Sequence, residues 1–164
     1  MGRLLILLGA VVALHTAAMA GEASPMKLFT PTADIPKLIA QAKSMRKGEQ
    51  ALVIVPILTL APYNANLEYR PGNQPPAVHE KDAEMFTVIE GTGTLITGGK
   101  LVDEKRNNAA NLGGTAITGG QSQSIAKGDF FIVPENTPHQ IMPTGGAPIV
   151  LMSVHMPRPA ANWP

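Results

Sequence analysis

The sequence predicts an all-β protein, a sandwich or barrel of short strands, with one helix near the N-terminus. Sixteen glycines and fifteen prolines lie between short apolar runs in this chain of 164 residues, a spacing typical of antiparallel strands joined by turns. Helical periodicity is seen in one segment before residue 50. We therefore expect three regions: a leader at 1–20, an extension with the helix at 21–50, and one β domain at 51–164.

The leader, MGRLLILLGAVVALHTAAMA, has the layout of a secretory signal peptide. Arg3 precedes an apolar run over residues 4–14, and small residues at 18–20 form a cleavage site. The apolar run is shorter than the roughly 20 residues that cross a bilayer. We expect cleavage after Ala20, a periplasmic or secreted protein, and no membrane span in the mature chain.

The extension contains PTADIPKLIAQAKSMRKG, whose apolar residues recur at the spacing of one helical face: Ile35, Leu38, Ile39, Ala42 and Met45. Thr32 or Asp34 can cap its N-terminus, Pro36 lies in the first turn, and Gly48 is a suitable stop. We expect this helix to pack against the outside of the sheet.

Strands are expected throughout the third region, in ALVIVPILTL, NLEYR, EMFTVIEG, GTLITGG, SQSIAKGDFFIVP and PIVLMSVHMP. Pro56 lacks an amide donor, so the first of these strands should lie at a sheet edge or contain a bulge. An apolar edge strand of this kind favours a covering partner, and we expect a homodimer. The glycine-rich stretch at 100–120 is expected to be a long hairpin or loop.

Charge and cysteine content narrow the chemistry. Thirteen basic and twelve acidic residues leave the chain near neutrality without a basic tract, which argues against nucleic acid as a partner. The chain has no cysteine. Thiolate chemistry is excluded, and any metal site must use histidine and carboxylate ligands.

Two segments contain the candidate functional residues: GNQPPAVHEKDAEMFTVIEG at 72–91 and GDFFIVPENTPHQIMP at 128–143. Together they resemble the two motifs of the cupin superfamily, G-x5-H-x-H-x(3–4)-E-x6-G and G-x5-P-x-G-x2-H-x3-N. Gly128, Pro134 and His139 have the spacing of the second motif, whereas Asn136 and Pro143 replace its middle glycine and final asparagine.

In the first segment, six residues separate Glu84 from Gly91, and His79 lies four intervening residues before Glu84. Ala77 then stands where the first histidine of H-x-H is usual. The resemblance implies a jelly-roll barrel with one divalent ion held by His79, Glu84 and His139. Two histidines and one carboxylate form a recognised facial set, which suits Fe, Mn, Ni, Co, Cu or Zn.

Three alternatives remain open at this point. Counting from Gly72 shifts the register by one residue and would point Glu80 inward in place of His79. Asp82 could replace Glu84 as a ligand or cap the turn. His155 could add a fourth ligand if its strand runs beside the site.

Candidate substrate-binding residues lie beside the first motif. Tyr69 and Arg70 are on the strand that enters it, and Arg70 could bind a substrate carboxylate through two hydrogen bonds. Phe86 should line the same wall as Glu84 by alternation. The predicted function is an exported metal-dependent enzyme of the oxygenase, isomerase or lyase type acting on a small organic substrate. A non-catalytic periplasmic protein that binds a small molecule or a metal is the alternative.

Overall fold

The computed structural model describes residues 25–158, and the predicted signal peptide and its cleavage site lie outside them. After a single-turn 3₁₀ helix at Thr32–Asp34 comes the α-helix α1, Ile35–Met45. The strands follow in chain order: β1 Val53–Leu60, β2 Tyr63–Arg70, β3 Ala77–His79, β4 Asp82–Glu90, β5 Thr92–Thr97, β6 Lys100–Val102, β7 Lys105–Arg106, β8 Asn111–Gly113, β9 Ala116–Thr118, β10 Gln121–Ala126, β11 Phe130–Val133, β12 His139–Pro143 and β13 Ile149–Pro157.

The strands form two main antiparallel sheets. One has the order β1-β2-β13-β4-β11 and the other β10-β5-β12-β3-β8-β7, while β6 and β9 pair separately. From β2 to β5 and from β10 to β13, consecutive strands alternate between the two sheets, as in a jelly roll. Hydrogen bonds among the described residues do not join the two sheets into a closed ring. The all-β prediction is confirmed.

The core between the sheets is built from alternating residues of six strands. Phe86, Val88, Ile149 and Leu151 of the five-stranded sheet meet Ile141 and its neighbours on the facing sheet. The five side chains named here are 0–1 % exposed. The polar site described below lies beside this apolar core, with the rings of Phe86 and His139 6.4 Å apart.

Helix α1 packs on the outer face of the five-stranded sheet, as the periodicity predicts. Ile39 and Ala42 are buried against Val55, Leu67 and Val150. Met45 is 47 % exposed and takes no part in this contact. Asp34 occupies the N-cap position without capping through its side chain, which instead accepts a hydrogen bond from Lys37 at 2.9 Å. No helix within residues 25–158 has the length and apolar character that crossing a bilayer requires.

Two sequence expectations about the strands have definite outcomes. Pro56 lies on the edge strand β1, and the register against β2 shifts between Pro56 and Leu58, so both the edge and the bulge are present. The stretch at 100–120 forms a long hairpin, as expected: β6 pairs with β9 and β7 with β8 in one continuous antiparallel register. Its strands are only two or three residues long, too short for a hydrophobic pattern to reveal.

Candidate metal centre

The centre lies between the two sheets, beside the apolar core. Glu84 and His155 project from the five-stranded sheet, where they are directly paired across β4 and β13. His79 and His139 come from β3 and β12 of the facing sheet, and His139 pairs with Ala77. The chain has four histidines, and the three that follow residue 20 all meet here.

Glu84 is the hub of the cluster. Its carboxylate is 3 % exposed. His79 Nε2 lies 3.3 Å and His139 Nε2 3.6 Å from Glu84 Oε2, and His155 Nε2 lies 3.1 Å from Glu84 Oε1. Ligand atoms of His79, Glu84 and His155 all lie within 4.8 Å of one another. Three imidazole nitrogens thus surround one carboxylate, an arrangement that a divalent ion could join.

The second ring nitrogen of each histidine faces a polar acceptor. Nδ1 of His79 lies 2.8 Å from Asn111 Oδ1, and Nδ1 of His139 lies 3.2 Å from the carbonyl oxygen of Thr137. Nδ1 of His155 is 3.7 Å from Asp82 Oδ2, beyond hydrogen-bond distance. Acceptors beside Nδ1 favour protonation there, which leaves Nε2 as a lone-pair donor directed at the centre. Such partners are the usual means of orienting a metal-binding histidine.

The charges of the cluster respond to one another. Burial raises the pKa of Glu84, but the hydrogen bonds offered by His139, His155 and His79 outweigh it and hold this pKa well below its usual range. The hydrogen bond to Glu84 in turn raises the pKa of His79 and of His155 above the usual value, against the opposing effect of burial. Without an ion, the cluster therefore tends to hold protons in the place of a cation.

The register question has a clear geometric outcome. His79 points between the sheets, whereas Glu80 points away and receives two hydrogen bonds from Arg106, at 2.6 and 3.0 Å. The segment between His79 and Glu84 carries the chain from the six-stranded sheet to the five-stranded sheet. The two side chains therefore meet across the interior.

His155 belongs to the cluster, although the sequence offered it only as a conditional fourth ligand. Its strand does run beside the site, because β13 pairs with β4 in the register that sets His155 opposite Glu84. The histidine missing at position 77 thus has a counterpart on another strand. Asp82, the other open candidate, lies behind His155 and makes its closest approach to that ring.

The loop before His139 replaces the family's glycine without losing its backbone shape. Asn136 adopts φ +58°, a left-handed conformation that asparagine tolerates better than most residues. Its amide donates a 2.8 Å hydrogen bond to the carbonyl oxygen of His79. The loop that delivers His139 is thereby tied to the strand that delivers His79.

A cavity of about 160 Å³ adjoins the four donors. Arg70, Glu68, Gln74 and Gln140 line it together with apolar residues that include Leu52, Ile54 and Ile141. A larger open groove of about 840 Å³ shares Gln74 and Gln140 with the cavity and continues over the loops at Asn107 and Thr115.

The three predicted substrate-binding residues have different positions. Arg70 lines the cavity. Phe86 is fully buried behind His139, with ring centroids 6.4 Å apart, and stacks on Phe131. Tyr69 lies on the opposite face of β2, in the cluster beneath helix α1, so the structure does not bring it to the cavity. Alternation along the strand explains this, since Tyr69 and Arg70 are adjacent.

Comparison with known proteins agrees with this geometry. A family model described as Cupin matches residues 52–162. The Cnp3 cupin domain of Schizosaccharomyces pombe is similar, with a TM-score of 0.50, 16% identity, and coverage of 71% of this chain and 72% of that one. A protein of Klebsiella pneumoniae with a double-stranded β-helix domain has a TM-score of 0.52 and 18% identity, with coverage of 75% of this chain and 90% of that one.

FeII HppE has a TM-score of 0.52 and 15% identity, over 68% of this chain and 54% of its own. No match to a curated protein was found. At these identities the structural likeness is one of fold. The family match covers most of the chain, and the fold and both motifs agree with it: this chain belongs to the cupin family.

Proposed function

We propose that the protein binds one divalent first-row transition metal ion through His79, Glu84 and His155, with His139 as a fourth ligand, and is a metal-dependent enzyme. One observation carries the proposal: the Nε2 atoms of three histidines surround the buried carboxylate of Glu84. Imidazole and carboxylate donors fit Fe, Mn, Ni, Co, Cu or Zn, and the absence of cysteine removes any thiolate preference.

The cavity beside the donors supports an enzyme of the oxygenase, isomerase or lyase type acting on a small organic molecule. A bound divalent ion would act as a Lewis acid and as a template for a substrate oxygen. Four protein ligands leave two positions of an octahedral ion for water or substrate. FeII HppE, whose name specifies iron(II), shares this fold.

The chain's own residues would hold the donors and confine the substrate. Asn111 and the Thr137 carbonyl fix the rings of His79 and His139 through their Nδ1 atoms. Gln140 donates a 2.6 Å hydrogen bond to the carbonyl oxygen of Gln74, which ties the wall of the cavity to the loop at its mouth. The apolar side chains of Leu52, Ile54 and Ile141 form part of the remaining wall.

Metal analysis of tag-free protein tests the proposal. We expect one ion per chain after reconstitution with at least one of the six metals. His155→Ala should weaken binding at least tenfold, because each lost ligand removes one bond and leaves Glu84 without a cross-strand partner. Ala77→His should restore binding in the His155→Ala protein, since position 77 is opposite His139 and lines the cavity.

Glu80→Gln is the matched control, because Glu80 is a nearby carboxylate that points away from the centre. It should keep full metal content. Failure of the wild-type protein to hold any of these ions in stoichiometric amount would refute the proposal. A panel of small acids and phenols then identifies the reaction of the metal-loaded form.

A further inference from the structure

A second buried polar group faces the cavity, on the five-stranded sheet beside the candidate metal centre. Glu68, Arg70 and Ser153 are 3 %, 8 % and 0 % exposed. Arg70 donates to Glu68 Oε2 through Nε at 2.8 Å, and its Nη2 lies 2.6 Å from the same oxygen. Ser153 donates a 2.6 Å hydrogen bond to Glu68 Oε1. Both carboxylate oxygens of Glu68 are therefore occupied.

Stability alone does not account for this group. A buried ion pair is commonly no more stabilising than apolar side chains of similar size, because both charges lose their hydration. The interior positions of β13 before Ser153 are apolar, as Ile149 and Leu151 illustrate. The pair also stands at the wall of the cavity that His79, Glu84, His139 and His155 line from other directions. A ligand in the cavity would therefore lie next to the Glu68–Arg70 pair.

The contacts with Glu68 fix the orientation of the Arg70 guanidinium and leave some of its N–H groups available to a ligand. A guanidinium has five N–H groups, and the contacts with Glu68 use those of Nε and one on Nη2. Ser153 holds Glu68 from the far side, so the guanidinium plane has little freedom to turn. Arginine in a fixed orientation is the side chain best suited to bind a carboxylate through two parallel hydrogen bonds.

Charge and size indicate the kind of ligand. Among the residues that line the cavity, Arg70 offsets Glu68 and Glu84 offsets half of the charge of a divalent ion, so one positive charge is left for a ligand to neutralise. The volume of about 160 Å³ is that of roughly five water molecules. The cavity itself therefore fits a small singly charged group, and any larger part of a ligand would lie in the adjoining groove.

We propose that Arg70, oriented by Glu68 and Ser153, binds the carboxylate of a small organic acid, which is the substrate class of this site. The assignment rests on the proposed function for the charge balance and for the role of the acid as substrate, whereas the orientation of Arg70 at the cavity does not depend on it. Glu68 and Ser153 act as positioning residues, because they contact the guanidinium or its partner and not the ligand. Leu52, Ile54 and Ile141 offer apolar contact to the carbon chain of the acid.

Titration of cobalt-loaded protein with acetate, propionate and acetamide tests this assignment. Binding is followed by calorimetry and by the visible spectrum of the cobalt. We expect acetate and propionate to bind, and acetamide, similar in shape but uncharged, to bind at least tenfold more weakly. Arg70→Lys keeps the positive charge but loses the pair of parallel N–H donors of the guanidinium. It should weaken acetate binding about tenfold, as loss of a charge-assisted hydrogen bond does.

The decisive variant is Glu68→Leu/Arg70→Met, which removes the pair without leaving an unpaired buried charge. It should fold, retain its cobalt and bind acetate at least tenfold more weakly than the wild type. Glu80→Leu/Arg106→Met removes an exposed pair of the same kind and should bind acetate as the wild type does. Equal acetate affinity in the Glu68→Leu/Arg70→Met and wild-type proteins would overturn the assignment.

Metal content, measured on the same samples, separates the two proposals. Wild-type protein that holds no metal refutes the proposed function. The acetate titration is then run on the metal-free protein, in which Arg70 still lines the cavity. Acetate binding that depends on the Glu68–Arg70 pair would still support the carboxylate site. Absence of acetate binding in both states would reject it.

Discussion

At the residue scale, the site is organised around the carboxylate of Glu84, which contacts the imidazole rings of three histidines. Glu84 is buried and would be costly as an isolated charge, since desolvation disfavours the ionised form. Three histidines compensate for this cost and keep its pKa low. The same contacts raise the pKa of His79 and His155, so protons would compete with the proposed metal ion for these nitrogens.

This competition predicts a pH dependence of metal binding. The ion requires neutral imidazoles, and its affinity should fall as the pH drops through the raised pKa values of His79 and His155, which lie above the usual value of about 6.5. Isothermal titrations at a series of pH values should show this loss, with protons released on binding. An affinity independent of pH between about 5 and 8 would contradict it.

The stability of the metal-free protein should have the opposite pH dependence, with the histidine contribution present at low pH and lost as the pH rises. A raised pKa in the folded state stabilises the fold below the unfolded pKa, and this contribution is lost as the pH rises through the folded value. The gain in melting temperature on adding metal should therefore be larger above the raised pKa values than below them. In Glu84→Gln protein the pKa of both histidines should fall, which proton NMR of the imidazole signals can follow.

At the element scale, the loop at 134–138 and the strand that follows deliver His139. Gly128 turns the chain into β11 with φ +95°, and Asn136 repeats a left-handed conformation with φ +58°. The hydrogen bond from Asn136 to the His79 carbonyl joins the loop to β3. Because this bond uses the backbone amide, it survives any substitution that keeps the backbone conformation.

We expect Asn136→Gly to leave stability within a few tenths of a kcal/mol, because glycine adopts positive φ freely and restores the residue usual in this motif. Asn136→Ala should cost about 1 kcal/mol, and Asn136→Val more, because a Cβ disfavours this conformation. Urea unfolding measures the differences. Asn73→Ala, at an exposed position without positive φ, is the control and should be nearly neutral. An alanine variant as stable as the glycine variant would contradict this account.

At the scale of the whole molecule, the five-stranded sheet has two exposed edges, β1 and β11. Lys27 pairs with Thr59 through two 2.9 Å hydrogen bonds, so the N-terminal segment covers one end of β1. Apolar side chains remain exposed along β1, with Ile54 46 % and Leu60 45 % exposed. Uncovered edges of this kind favour pairing with a second chain.

We predict a homodimer formed at β1. Light scattering should give twice the monomer mass at micromolar concentration, and Leu60→Lys should shift the protein toward monomer by placing a charge at the interface. Phe130→Lys, on the opposite edge strand and 79 % exposed, should leave the mass unchanged. A monomeric wild-type protein would refute the prediction, and dissociation by Phe130→Lys alone would move the interface to β11.

Export is the second prediction for the whole molecule. Arg3, the apolar run at 4–14 and the small residues at 18–20 predict that the mature protein begins at Gly21. N-terminal sequencing of protein recovered from the periplasm or the culture fluid measures this directly. Soluble cytoplasmic protein that retains Met1 would contradict it.

The sequence by itself determined the all-β class, the helix, the edge character of the strand at Pro56 and the two cupin motifs. These features follow from local periodicity, from the missing amide of proline and from fixed spacings within one segment. It also identified His79, Glu84 and His139 as candidate ligands of one metal site, and their role as ligands stays a proposal. Only the tertiary structure decided which further side chains face them, because His155 and Asn111 enter through strand pairing.

The same reason explains what was missed on the substrate side. Glu68 and Ser153 stand 85 residues apart in sequence, and no local pattern connects them. Tyr69 and Arg70 are adjacent in sequence and were both predicted to bind substrate. Because side chains alternate along the strand, Tyr69 lies beneath the helix and Arg70 lines the cavity. The register between β2, β13 and β4 assigns each side chain to a face, and that register is set by the packing of the whole molecule.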